Sequence, residues 1–159
     1  MRIVALADAG NRGKTTSIKL AKDILLKDSR FESPQEIISL YKPVGENDIM
    51  TVVELLNGYR IAFCSGGDDA WTVKENYEYA SDNKCDLLVT ASRGPSRSSS
   101  WDQMSTIMQK KVKDGLLVKT IDFWNGNSAL YDNDCDHLRL SKLTAQHLVE
   151  IIIYVISRP

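Results

Sequence analysis

The sequence predicts an α/β fold in which a mostly parallel sheet of about five to six strands carries helices on both faces and includes one antiparallel hairpin. Two observations support this: short apolar runs alternate with segments of helical periodicity, and Asn57-Gly58 separates two strand-like runs. Strands alternating with helices are typical of parallel sheets with right-handed crossovers. The 159 residues suit a single domain spanning 1–159, and a domain of that size buries roughly 68–70% of the surface of its unfolded chain.

The first elements follow from hydrophobic periodicity. Ile3–Ala7 is a continuous apolar run, as expected for a strand buried on both faces. Thr15–Asp28 has apolar residues on one helical face and predicts the first helix. Glu36–Tyr41 predicts the second strand, and Pro43 and Gly45 then indicate a loop.

The hairpin is predicted by the pair Asn57-Gly58, which joins the strand-like runs Met50–Leu56 and Tyr59–Ser65. An Asn-Gly pair between two strands is a strong turn signal, because both residues tolerate a positive φ. We therefore expect both residues of the pair to adopt a positive φ.

The second half of the chain continues the alternation of helix and strand. In chain order it predicts a helix through 70–80, a strand at Asp86–Ala91, a helix through 101–112, a strand at Leu116–Asp122 and a closing helix at Ser141–Ser157. Ser141 is the expected N-cap of the closing helix, since a serine oxygen accepts well from the first free backbone N–H groups.

Charge and cysteine usage restrict the classes of partner. The chain has 20 basic and 21 acidic residues and a net charge of −1, which argues against nucleic acid as a partner. Cys64, Cys85 and Cys135 are an odd number at wide spacing and predict a reducing, cytoplasmic compartment. The apolar stretch Leu148–Ile156 is shorter than the roughly 20 residues a membrane helix needs. We therefore expect no membrane partner, and oligomeric state stays open.

A glycine-rich segment lies between the first strand and the first helix. Asp8 to Thr15 reads Asp-Ala-Gly-Asn-Arg-Gly-Lys-Thr, and its glycines allow consecutive backbone N–H groups to converge on an anion. The segment resembles the Walker A motif G-x-x-x-x-G-K-[ST] of the P-loop NTPases, with Asp8 in the place of the first glycine. The resemblance implies a P-loop nucleotide-binding domain that takes ATP or GTP together with Mg²⁺.

The resemblance also implies roles for individual residues. Lys14 would contact the β- and γ-phosphates, and the Thr15 hydroxyl would ligate Mg²⁺. The phosphate-binding residues would be Ala9, Gly10, Asn11, Arg12, Gly13, Lys14, Thr15 and Thr16. The Asp8 carboxylate must point away from the phosphates or form a local hydrogen bond, because it would otherwise repel them.

A second candidate segment is Ser65-Gly66-Gly67-Asp68-Asp69, which follows the predicted hairpin. It resembles a displaced form of the Walker B acid that binds Mg²⁺ in P-loop proteins. This gives Asp68 a predicted metal-binding and catalytic role. The alternative is that Asp68 or Asp69 caps the following helix, and both interpretations stay open.

A third candidate segment is the polar loop 92–100, which contains Arg93 and Arg97. It resembles the lid of small kinases, whose arginines neutralise the transferring phosphate, so both arginines are predicted to be catalytic. The alternative is a solvated serine-rich loop. Because the carboxyl ends of parallel strands share one edge, the loops at 8–13, 65–69, 92–100 and 122–128 should converge.

These features predict Mg²⁺-dependent binding of a nucleoside triphosphate, with phosphoryl transfer or hydrolysis. Small nucleotide or metabolite kinases fit the size of the chain, with a small molecule as phosphate acceptor, as do small bacterial or phage P-loop proteins. A GTPase-like switch and a non-catalytic nucleotide- or partner-binding module are the alternatives. Asn83-Lys84-Cys85-Asp86 matches the guanine motif of GTPases by letters, but it precedes a strand instead of following one, which predicts a chance match.

Overall fold

A computed structural model describes residues 1–8, 13–31, 33–39, 47–94, 98–111, 115–118 and 134–158. Within these residues the chain forms six strands and four helices. The strands are β1 (Arg2–Ala7), β2 (Gln35–Ser39), β3 (Met50–Glu54), β4 (Arg60–Cys64), β5 (Leu87–Ser92) and β6 (Gly115–Val118). The helices are α1 (Lys14–Leu25), α2 (Ala70–Asp82), α3 (Ser99–Lys111) and α4 (Asp134–Ser157).

The six strands form one mixed sheet in the order β2-β3-β4-β5-β1-β6. β1 pairs in parallel with both β5 and β6, and β4 pairs in parallel with β5. β3 is antiparallel to β4, as the hairpin predicts, and also to β2. The predicted α/β class and mostly parallel sheet are therefore confirmed. The second antiparallel pair arises because β2 lies against the outer side of the reversed strand.

Helices cover both faces of the sheet, as predicted. Side chains alternate between the faces along each strand, so Val4 and Leu6 of β1 belong to one core cluster and Ile3 and Ala5 to the other. The first cluster includes buried residues of α1 and α4, and the second includes buried residues of α2 and α3. The strands that precede the helices, β1, β4, β5 and β6, all run in the same direction. Each strand-to-helix connection therefore begins at the carboxyl edge of the sheet, where the candidate site lies.

The turn between β3 and β4 differs from the prediction. Gly58 has a φ of 80°, but Asn57 does not adopt a positive φ. The Leu55 carbonyl accepts from the Gly58 amide at 2.8 Å, and the Asn57 side chain accepts from the Tyr59 amide at 3.0 Å. The turn is therefore longer than the predicted two-residue Asn-Gly turn, and only its glycine adopts the left-handed region.

The closing helix begins earlier than predicted. α4 starts at Asp134, about two turns before Ser141, so the prediction that Ser141 is an N-cap is wrong. Ser141 is instead a buried residue inside the helix, beside Gly13. By length and composition alone, 137–157 of this helix is long and apolar enough to cross a membrane. Its apolar side, which includes Leu148 and Ile152, is buried in the core against the sheet.

Candidate functional site

Three loops meet at the carboxyl edge of the sheet. The Asp8 amide donates to the Ser92 carbonyl at 3.3 Å, and the Gly94 amide donates to the Asp8 carbonyl at 3.1 Å. Gly67, which follows β4, lies so close to the end of β5 that a Cβ at this position would overlap the Ala91 carbonyl. The loops after β1, β4 and β5 therefore converge as predicted. The fourth predicted loop, 122–128, lies outside the described residues.

Lys14 is the first residue of α1, and its side chain is buried. Gly13 precedes it with a φ of 71°, in the left-handed region that favours glycine. The Lys14 ammonium donates to the Asp8 carbonyl at 3.0 Å. Burial lowers the pKa of Lys14, and the nearby Arg93 lowers it further, against the opposing charges of Asp68 and Asp8. A cation in this position strongly favours a bound anion, because little water screens it.

A cavity of about 670 Å³ opens beside Lys14. Its walls are formed by the first turns of α1, by the segment 65–68 and by Asn47–Asp48. Its size lies within the range of small-molecule sites, roughly 300–1,000 Å³. Lys14 and Lys19 give the wall positive charge, and Asp23, Asp48 and Asp68 give it negative charge. Such a lining suits an anion accompanied by a cation.

The acid that contacts Thr15 is Asp48, which the sequence analysis missed. The Thr15 hydroxyl donates to Asp48 Oδ1 at 3.1 Å, and the Ser65 hydroxyl donates to the same oxygen at 2.9 Å. Asp48 reaches this edge because β3 runs opposite to the other strands, so its beginning and not its end lies beside the cavity. The predicted reversal at the hairpin was the signal that could have found this residue.

Asp68 and Arg93 form an ion pair. Arg93 Nε lies 2.9 Å from Asp68 Oδ1, with the two side chains 35% and 72% exposed. The neighbouring Asp69 is the N-cap of α2, since its carboxylate accepts from the Thr72 amide at 2.9 Å. The capping interpretation is therefore confirmed for Asp69, while the metal-binding role of Asp68 stays a prediction.

Comparison with protein-family models, with curated proteins and with solved structures gave no match to the chain.

Two buried side chains fix the position of the segment Gly66-Gly67. The Asn76 side-chain amide donates to the Gly66 carbonyl at 2.7 Å and to the Thr90 hydroxyl at 3.0 Å. The Ser100 hydroxyl donates to the Gly67 carbonyl at 2.5 Å. Because the backbone is held in this way, the cavity wall is formed before any ligand binds. No sequence motif identified Asn76 or Ser100, since lone polar residues in helices are common.

The remaining predicted site residues have different outcomes. Thr16 lines the cavity from the first turn of α1, as predicted for a phosphate-binding residue. The segment Asn83–Asp86 lies between the end of α2 and the start of β5, at the edge opposite the cavity, which confirms that its likeness to a guanine motif has no structural counterpart. The predicted residues outside the described part are Ala9, Gly10, Asn11, Arg12 and Arg97.

The oxygen atoms beside the cavity could serve as ligands of Mg²⁺ if a phosphate group supplied further ligands. Thr15 and Asp48 present a hydroxyl and a carboxylate that already share a hydrogen bond. Among the described residues no group of three or more His, Cys, Asp or Glu side chains could hold a metal alone. Proteins usually bind Mg²⁺ through one or two carboxylates and the phosphates of a ligand. The donor set therefore fits Mg²⁺ that arrives with a phosphate ligand.

Proposed function

We propose that the protein binds a nucleoside triphosphate with Mg²⁺ through a P-loop at the carboxyl edge of its sheet, and transfers or hydrolyses the terminal phosphoryl group. One observation carries this proposal. Lys14 holds a buried ammonium group at the start of α1, directly after the left-handed Gly13 and at the wall of a 670 Å³ cavity.

The start of α1 favours a phosphate for two additive reasons. The first backbone N–H groups of a helix lack partners within the helix, and the helix dipole places partial positive charge there. Lys14 adds a full charge at the same position, with its ammonium oriented by the Asp8 carbonyl. These are the properties of a phosphate site at a helix N-terminus.

Thr15 and Asp48 are the residues that would hold Mg²⁺. When bound with the nucleotide, Mg²⁺ would supply positive charge that stabilises the negative charge developing on the transferring group. Asp48 also accepts from Ser65, so its carboxylate is oriented by two hydroxyl groups, one from the first turn of α1 and one from the segment after β4. Asp23 and Asp68 are the other carboxylates on the cavity wall.

Arg93 is the residue that would act on the transferring group. It follows β5 directly, and its charge influences Lys14. An arginine in such a position stabilises negative charge on the phosphoryl oxygens in the transition state. It should therefore contribute more to turnover than to nucleotide affinity.

A non-catalytic nucleotide-binding module is the second candidate, and the Asp68–Arg93 ion pair favours it. Arg93 is engaged by a carboxylate at 2.9 Å, and a cation that stayed paired in this way when the nucleotide binds would not assist the reaction. Phosphate release from ATP or GTP in the presence of Mg²⁺ distinguishes the two candidates. A comparison of ATP with GTP also tests the GTPase-like alternative.

The first test of the proposal is the substitution Lys14→Ala. A hydrogen bond to a charged group contributes roughly 1.5–3 kcal/mol, so affinity for Mg·ATP should fall about 10- to 100-fold. Calorimetry measures the affinity, and Lys27→Ala is the matched control, because it removes the same charge from an exposed position after α1. Unchanged affinity in the Lys14 variant would contradict the P-loop assignment.

A further inference from the structure

The ion pair between Asp68 and Arg93 joins the loops that follow β4 and β5. Arg93 Nε and Asp68 Oδ1 are 2.9 Å apart, and the Asp68 side chain is 72% exposed. Exposed ion pairs contribute little to stability, because water competes for both partners. The contact is therefore one that an incoming anion can break at small cost.

Three charges lie together at this point. Asp68 pairs with Arg93 at 2.9 Å and lines the same cavity as Lys14. Arg93 lowers the pKa of Lys14 and Asp68 raises it, as a like and an opposite charge would. Without a ligand, Asp68 partly neutralises the two cations. A phosphate group bound at Lys14 would also neutralise the two cations, and its negative charge would repel the Asp68 carboxylate.

Hydrogen bonds fix the backbone segments that carry Asp68 and Arg93. The Ser100 hydroxyl donates to the carbonyl of Gly67, directly before Asp68, at 2.5 Å. The Arg93 amide donates to the Ser100 oxygen at 3.1 Å. One buried serine therefore holds both loops, so that breaking the ion pair requires only side-chain rotation.

We infer that Asp68 is an exchangeable partner of Arg93, which the terminal phosphate of the bound nucleotide replaces. This inference rests on the proposed function. Because one ion pair forms as another breaks, Arg93 adds less to nucleotide affinity than an arginine without a carboxylate partner would, and it remains available to the reacting group. Asp68 is then a positioning residue that weakens ligand binding, and it is not a metal ligand.

The two roles of Asp68 predict opposite effects of Asp68→Asn. As the exchangeable partner, its neutralisation releases Arg93 and strengthens binding of a non-hydrolysable Mg·ATP analogue about two- to fivefold, the range in which exposed ion pairs contribute. The Mg²⁺ concentration needed for half-maximal binding does not change. As a metal ligand, its neutralisation weakens binding and raises that Mg²⁺ concentration.

The experiment is a double-mutant cycle with the full chain and the Mg·ATP analogue, measured by calorimetry. Arg93→Gln should weaken binding, because it leaves the Asp68 charge facing the phosphate. Adding Asp68→Asn to that variant should restore affinity to within about twofold of wild type, since the repelling charge is removed. Asp82→Asn removes an exposed charge at the end of α2, at the opposite edge, and should leave affinity unchanged.

The outcomes separate this inference from the proposed function. If Asp68→Asn weakens binding, leaves it unchanged, or adds a second loss to that of Arg93→Gln, the exchange is wrong while nucleotide binding stands. If the wild-type protein does not bind the analogue, the proposed function fails and the exchange fails with it.

Discussion

The two edges of the sheet are held together by different interactions. At the carboxyl edge, Asn76 and Ser100 are buried, and they donate to the carbonyls of two glycines in the cavity wall. At the amino edge, arginines with exposed side chains form ion pairs: Arg60 pairs with Glu54 at 2.7 Å, and Arg30 pairs with Asp28 and Glu150. Buried neutral hydrogen bonds therefore fix the glycine backbone around the cavity, beside the exposed Asp68–Arg93 pair, whereas ion pairs of exposed arginines join segments at the amino edge.

This difference has an energetic consequence. A buried polar group left without its partner costs roughly 1–3 kcal/mol, whereas an exposed ion pair contributes about 0–1 kcal/mol. Similar substitutions should therefore lower the free energy of unfolding more at the carboxyl edge than at the amino edge.

The largest effect is expected for Asn76→Ala. The substitution leaves the Gly66 carbonyl and the Thr90 hydroxyl without their shared donor, so it should lower the free energy of unfolding by about 2–4 kcal/mol. Asn83→Ala is the matched change at the amino edge, where the side chain donates to the Tyr79 carbonyl at the end of α2. It should cost less than about 1 kcal/mol. Urea unfolding measures both, and equal costs would contradict the comparison.

An intermediate effect is expected for Gly67→Ala. The new Cβ would overlap the Ala91 carbonyl, and backbone cannot yield as a flexible side chain can. We expect a loss of about 1–3 kcal/mol in unfolding free energy. Gly94→Ala is the control at the same edge, because its Cβ would lie an ordinary 3.6 Å from Asp8 Cα. A Gly94 variant as unstable as the Gly67 variant would show that crowding is not the cause.

The smallest effect is expected in acid, from Asp69. Its pKa lies below the usual value because the Thr72 amide donates to the carboxylate. The stabilisation is fully present above the unfolded-state pKa, about 3.9, and is lost as pH falls through the lower folded-state value. Asp69→Asn keeps a good N-cap but removes this titration. Unfolding free energy should therefore decrease less steeply below about pH 4 than in the wild type.

The amino edge supplies the control for that measurement. The hydrogen bonds from Arg30 lower the pKa of Glu150, so Glu150→Gln should also reduce the acid dependence. Because Glu150 is exposed and its hydrogen-bond donor is a charged side chain, its contribution should decrease in 1 M salt, where the screening length falls to about 3 Å. The contribution of Asp69 should persist, since it depends on a direct backbone hydrogen bond. Equal salt sensitivity at both edges would contradict the distinction.

The sequence predicted features that depend on neighbouring residues. Hydrophobic alternation in Ile3–Ala7 and the turn signal at Asn57-Gly58 depend on local chemistry, so the order of elements, the hairpin and the convergence of three loops could be derived. The direction of β3 was implied as well. Its consequence, that the residues before Met50 return to the carboxyl edge beside Thr15, requires the three-dimensional arrangement.

Other features depend on contacts between distant segments, which the chain pattern does not contain. Ser141 has the chemistry of an N-cap, but it is buried inside α4 beside Gly13. Asp68 has the chemistry of a metal ligand, but it contacts Arg93 from another loop. In both cases the residue type was informative about what the side chain can do, and only the fold determined which partner it meets.

The position of β1 in the sheet also affects how the protein is made. Arg2 at the start of β1 pairs with Leu87 of β5, and Ile3 pairs with Gly115 of β6. β1 therefore lacks both of these strand partners until roughly 80 more residues have been synthesised, about 4–16 s at ordinary rates of 5–20 residues per second. During that interval its apolar residues are exposed on the nascent chain, while β3 and β4 can pair locally. Chaperones that bind short apolar segments would meet β1 before the sheet can enclose it.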